Sequence, residues 1–160
     1  MGYSDGGVEL EYTPEIADHF VDQETGPVKS TLTSEQFIVR APLAEATLGN
    51  LNKAISASTF STEAAASGVT GKDILTVGTG PLTEWALGFE ADSPESQADG
   101  TQGFRLLIVW RVLSVSAIGQ AYRKGEKTLF NAEFRANVES SKPKGERMFR
   151  LVDWTAVSEA

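Results

Sequence analysis

Hydrophobic and polar residues alternate with a period of two along much of this chain. Val8, Leu10 and Tyr12 alternate with Glu9 and Glu11, the pattern of a half-buried strand with one acidic face. Trp85, Leu87, Phe89 and Ala91 alternate with Glu84, Ala86, Gly88 and Glu90. Phe130, Ala132, Phe134, Ala136 and Val138 alternate with Asn131, Glu133, Arg135 and Asn137. Such alternation is what an antiparallel sheet with one packed face requires. Residues 104–113 are apolar in both phases apart from Arg105 and Arg111, which predicts a central strand covered on both sides. Shorter strands are predicted at residues 74–77 and 148–154, and two more at about 15–21 and 28–41, on either side of the turn-rich DQETGP.

One helix is predicted. It follows Pro42, which suits a first helical turn, and Ala44, Leu48, Leu51 and Ile55 make a single apolar stripe at helical spacing. Gly49 inside that stripe costs roughly 1 kcal/mol relative to Ala, so the helix is expected to lean on a sheet. Residues 56–72, 92–103 and 140–146 lack periodicity and are rich in small, polar or charged residues, so they read as loops. Gly78, Gly80 and Pro81 read as a tight turn between two strands. With no internal repeat and no linker, the 160 residues are expected to form a single mainly β domain.

Charge changes this picture more than composition does. Of 22 acidic and 14 basic residues, seven acids (Asp5, Glu9, Glu11, Glu15, Asp18, Asp22 and Glu24) and no Lys or Arg fall within residues 1–28. The bland reading is a solvated acidic face or a loose acidic segment. The sharper one is a surface that repels a polyanion. A formal net charge of −8 argues against a protein whose task is gripping DNA. The absence of cysteine removes disulfides, thiolate metal sites and cysteine nucleophiles, and one histidine cannot build a multi-histidine site. The first residues show neither a basic stretch nor an apolar run, and no apolar run approaches a membrane span. A soluble protein made in the cytoplasm, with no membrane contact, is expected.

Candidate chemistry is sparse. His19 follows Asp18, but neighbours on a strand point to opposite faces, so the two are poorly placed as a pair. GTGP does not match a phosphate-binding glycine motif. Glu9 and Glu11 share a strand face, but no calcium-loop pattern accompanies them, so neither a metal nor a cofactor is expected. Lys142, Lys144, Arg147 and Arg150 form a basic cluster: either a weak phosphate patch or a surface partner for the acidic N-terminal region of a neighbouring copy.

The stretch YTPEIADHFVDQETGPVKSTLTSEQFIVRAPLAEATLGNL, residues 12–51, resembles the N-terminal half of the tail tube (major tail) proteins of long-tailed bacteriophages. The likeness rests on an early strand with the acidic DQETGPVKS turn, a strand ending in APLAEATLGNL, and the helix which that phrase opens. It covers about a quarter of the chain closely and the rest by strand order.

The resemblance implies two packed antiparallel β-sheets, a sandwich or half-barrel, with one flanking α-helix and long loops. It also implies six-membered rings stacked into a hollow tube that conducts DNA from virion to host. The implied partners are further copies of the chain, a tape measure protein, the tail terminator and the tail tip or baseplate; the implied location is the virion tail, assembled in the host cytoplasm. An acidic bore lets DNA slide rather than stick, and Glu9, Glu11, Asp18, Asp22 and Glu24 are the candidates to line it. Arg105 and Arg111, read as sharing one strand face, are expected to pair across subunits. The basic cluster of Lys142, Lys144, Arg147 and Arg150 is a further inter-subunit candidate.

Three other readings compete with the tube. One is another tail ring component, a terminator or baseplate protein. A monomeric β-sandwich that binds a small ligand or sugar would use Tyr3, Trp85 or Tyr122 as a stacking platform. A hydrolase would have to work from carboxylates with His19.

Overall fold

The computed structural model describes residues 6–96, 100–115, 117–119 and 130–154. The chain is mainly β, with two antiparallel sheets and one short helix. In chain order the elements are β1 (Glu9–His19), β2 (Lys29–Leu43), α1 (Leu48–Ala54), β3 (Ser58–Glu63), β4 (Lys72–Val77), β5 (Trp85–Ser96), β6 (Gln102–Ser114), β7 (Phe130–Ala136) and β8 (Phe149–Trp154). The large sheet runs β1-β2-β7-β6-β5 and curls into a half-barrel. β7 pairs with the C-terminal end of β6 and β8 with its N-terminal part, so two strands follow one another along one edge. β3 and β4 form the small sheet.

Period-two alternation builds the core. Val39 lies opposite Phe134, Ala41 opposite Ala132 and Leu43 opposite Phe130, all six fully buried. Leu87, Leu107, Val109 and Val112 extend this layer across β5 and β6, and Ala54 of α1 and Met148 join it. Ser56 Oγ donates to the Ser114 carbonyl at 2.8 Å, and Ser114 Oγ donates to the Ala54 carbonyl. These bonds fasten the C-terminal end of the helix to the sheet and satisfy two buried hydroxyls.

Four expectations about element bounds need correction. The two strands expected at 8–12 and 15–21 are one continuous β1, because β2 absorbs the irregularity at Thr33: Glu15 pairs with Ser34 and Ile16 with Leu32. The helix does not start at Pro42. Ala41 and Leu43 continue the alternation of β2 into the core, and the helix begins at Leu48, where the Thr47 hydroxyl accepts the Asn50 N–H at 3.2 Å. Residues 56–72, expected as a loop, contain β3 along its full pairing with β4. Most of 92–103 likewise belongs to β5 and β6, which pair as far as Ser96 and Gln102. Serine- and threonine-rich stretches carry little apolar alternation, and cross-strand pairing made them strands.

β6 is central in its pairing, with β5 on one side and β7 and β8 on the other. Its second face is only partly covered, since Leu106, Ile108 and Leu113 are half-buried and Phe104 is exposed. A bulge interrupts it: Leu87 pairs with Val109 but Trp85 pairs with Val112, so three steps on β6 match two on β5. The core-facing phase therefore moves from Leu107 and Val109 to Val112 and Ser114. Arg105 keeps the first phase and Arg111 falls outside the second, so the two arginines do not share a face.

Candidate functional site

The functional candidates cluster on the β1–β2 hairpin and on the 138–150 segment. The hairpin closes through a turn in which the Glu24 N–H donates to the Val21 carbonyl and the Val28 N–H to the His19 carbonyl. Its register sorts the acids. Glu9, Glu11 and Glu15 lie on the face turned away from the core, while Asp18 shares the other face with Leu10, Tyr12 and Ile16. Asp22 and Glu24 sit in the turn at the tip. The five residues expected to line a bore are thus divided between two faces and a tip.

Arg40 organises the outward acids. It stands on β2 with Glu9 and Glu133 directly across on either side. Its Nη1 donates to Glu11 Oε2 at 2.6 Å and its Nε to Glu133 Oε2 at 2.9 Å, with Glu9 3.9 Å away. Hydrogen bonding to Glu11 and then Glu133 pushes the Arg40 guanidinium above its usual range. The acidic face is therefore partly neutralised by one fixed cation. Sequence reading passed over Arg40, although the alternation of Phe37, Val39 and Ala41 around it already marked it as outward.

Further out, several polar side chains have local partners. Ser34 Oγ donates to Glu15 Oε2 at 2.6 Å, Ser30 Oγ to Asp18 Oδ1 at 2.5 Å, and His19 Nε2 lies 3.0 Å from Thr31 Oγ1. Asp18 and His19 thus face opposite ways and bond to different neighbours. The Tyr12 hydroxyl donates to Glu35 Oε2 at 3.1 Å, and that bond raises the phenol above its usual range.

The core-side face of the hairpin is largely apolar and, among the described residues, uncovered. Beyond buried Phe37 and Val39 the same face continues through Leu10, Tyr12, Ile16 (58% exposed) and Leu32 (55%) towards the tip, where Phe20 (66%), Val21 and Val28 are also exposed. β7 accompanies β2 only from Ile38 to Leu43, so the outer half of the hairpin stands beyond the sheet.

Arg105 and Arg111, expected to pair across subunits, are engaged within the chain. Arg105 grips Asp153 with two parallel bonds, Nε to Oδ1 at 2.6 Å and Nη2 to Oδ2 at 2.5 Å. Arg111 donates twice to Glu84 Oε2, at 2.5 and 2.9 Å, and once to the Val138 carbonyl at 3.1 Å. Glu84 also accepts from Asn137 Nδ2 at 2.5 Å. These arginines hold the Asp153 and Glu84 carboxyls below the usual range.

The basic cluster is brought together by a turn folded over Trp110. Lys142 Nζ lies 4.1 Å from the ring centroid of Trp110, whose Nε1 donates to the Glu146 carbonyl, and Arg147 Nε donates to the Lys142 carbonyl. Lys144 is exposed at the turn, and Arg150 lies on β8 in the outward phase, across from Ile108. Between this turn and the root of the hairpin runs a groove of about 550 Å³. Val138, Met148 and Phe149 line it, Lys144 and Arg147 stand on one side, and Tyr12 and Glu35 on the other. Phe149 stacks on Phe37 at 4.1 Å between ring centroids and meets Tyr12 edge-on at 6.4 Å.

Of the aromatic platform, Trp85 is half-buried, and its indole N–H is buried without a partner among the described residues. Tyr3 and Tyr122 lie outside the described residues. Among the described residues no group of three or more His, Cys, Asp or Glu is placed to hold a metal, and no helix is long and apolar enough to cross a membrane. Comparison with protein-family models finds no match, and comparison with curated proteins finds none.

Proposed function

We propose that this chain is a structural subunit of a bacteriophage tail tube, assembling head-to-tail into six-membered rings that stack around a DNA-conducting bore. The observation that carries the reading is the pair of open edges on the large sheet. Among the described residues β1 pairs only with β2, and β5 only with β6, over strands of 11 and 12 residues. Exposed edges of that length are aggregation hazards in a monomer and become joints when a ring closes them. Every neighbour in the order β1-β2-β7-β6-β5 is antiparallel, so β1 and β5 run the same way. A rotation about an axis near the strand direction then brings β5 of one copy beside β1 of the next as a parallel pair. The resemblance of residues 12–51 supplies the number six and the tube.

In this assembly the outward face lines the bore. It carries Glu9, Glu11, Glu15, Glu90, Asp92 and Glu133 with Lys29, Arg40, Arg135 and Arg150 among them, and Arg111 balanced by Glu84. Acids exceed bases there, which favours passage of DNA over adhesion. Asp18 faces away from the bore, and Asp22 and Glu24 sit at the hairpin tip, so of the five candidates Glu9 and Glu11 remain in the bore, and Glu15 of β1 joins them. The tape measure protein, terminator and tail tip are the partners such a tube requires.

Sedimentation velocity of the purified chain across a concentration series tests the reading. Species of six chains and longer polymers are expected; a compact 17.2 kDa monomer at every concentration, even with tail-tip extract added as nucleus, overturns it. In finished particles, Glu11→Lys with Glu15→Lys is expected to leave tubes intact and impair DNA delivery; normal delivery would sink the bore assignment.

A further inference from the structure

We infer that the outer half of the β1–β2 hairpin of one copy seats in the groove between the hairpin root and the 138–149 segment of a second copy. This rests on the self-assembly reading and goes beyond it by naming both halves of one contact.

The hairpin needs a cover, because the apolar face of the core continues past Tyr12 into exposed Ile16 and Leu32, and Phe20 and Val21 are exposed at the tip beyond them. Among the described residues its own chain does not provide one. The groove lies at the level of Tyr12 and Glu35, and eight residues of strand at roughly 3.3 Å each place Phe20 about 26 Å away. The ladder from Glu9–Arg40 to His19–Lys29 holds the hairpin extended, so the tip does not fold back.

The two surfaces match in chemistry. The tip presents Phe20 and Val21 between Asp18, Asp22 and Glu24, and none of these three acids meets a cation of its own chain among the described residues. The groove presents Val138, Met148 and Phe149 with Lys144 and Arg147 on one side, while Glu35 on the other side is engaged by the Tyr12 hydroxyl. Apolar residues flanked by carboxylates thus meet an apolar floor with two cations along one side, and burial next to apolar surface shields these pairs from salt. Tip and groove are different patches, so the contact is heterologous. In the head-to-tail assembly proposed above, each copy gives a hairpin to one neighbour and receives one from the other, so the interaction propagates along the assembly.

The chain has no cysteine, so covalent capture is clean. Val21→Cys and Val138→Cys variants, each altered at an exposed position, are mixed at high concentration and oxidised. A disulfide-linked dimer is expected in the mixture and not in either variant alone. Separately, Asp22→Lys and Lys144→Glu are each expected to weaken self-association tenfold or more at low salt, and the chain carrying both to recover most of it. Rings or filaments that form without the mixed disulfide and ignore both reversals would overturn the seat and leave the tube reading standing. Dimers of Val21→Cys alone would replace it with a symmetric pairing of tips. A chain that stays monomeric and uncaptured at all concentrations would overturn both.

Discussion

Leu43 and Leu32 lie on the same strand and on its core-side face, yet the account assigns them opposite duties. Leu43 is 2% exposed opposite Phe130, and Leu32 is 55% exposed opposite Ile16. Substitution by Ala removes three carbons from each, about 2.4 kcal/mol of transfer free energy at ~0.8 kcal/mol per carbon. At Leu43 a residual cavity adds to this, giving a cost of about 3–4 kcal/mol. At Leu32 about half of the transfer term applies within one copy, about 1 kcal/mol, and the other half is realised only when a second copy covers it. At 2–4 °C per kcal/mol for a chain of this size, Leu43→Ala lowers the melting midpoint of the isolated chain by about 10 °C and Leu32→Ala by 2–4 °C. In self-association the order reverses: Leu32→Ala weakens each joint by about 1.3 kcal/mol, nearly tenfold in Kd, and Leu43→Ala leaves it unchanged. Thermal unfolding of dilute protein and a sedimentation series read the two quantities separately. Equal melting losses would refute the register of β2, and unchanged association of Leu32→Ala would refute the covered face.

Three further outcomes follow from the structure. The Asp153 and Glu84 carboxyls are held down by Arg105 and Arg111, so their stabilisation is complete above the ordinary carboxylate range and lost as pH falls through the depressed values. Asp153→Asn is therefore expected to be less stable than the parent near neutrality and to converge with it at the acid end of a melting-midpoint series; a constant offset would contradict this. Gly103→Ala places a methyl 2.5 Å from the Glu95 carbonyl oxygen and 3.0 Å from that of Trp154, with an expected cost of about 1–3 kcal/mol in denaturant unfolding. Thr47→Ala removes the side-chain acceptor for the Asn50 N–H, with an expected cost of about 1 kcal/mol by the same measurement.

The strands with strict apolar alternation were legible in the sequence because a half-covered sheet writes its pattern directly into residue order. Phe130, Ala132, Phe134 and Ala136 are all buried, as that pattern requires. β3 was not legible, since STFSTE offers one large apolar residue and owes its strand to pairing with β4. The start of the helix was misplaced because Pro42 fits either a first turn or a strand that has run past its β1 neighbour, and only the core contacts of Ala41 and Leu43 decide.

Bulges were the deepest loss. One residue inserted near Trp110 and Arg111 moves every later side chain of β6 to the other face, and nothing in a run apolar on both phases marks the slip. The acidity of residues 1–28 was plain from composition. Its division between an outward face held by Arg40, a core-side position at Asp18 and the tip at Asp22 and Glu24 required the pairing register. The groove beside Phe149 joins residues more than a hundred positions apart, beyond any local pattern.

Electron microscopy of the purified full chain at high concentration tests self-assembly into a tube most directly. Six-fold rings or hollow filaments built from repeating rings are expected. Uniform single particles of one chain, persisting at every concentration and with tail-tip extract present, would contradict it.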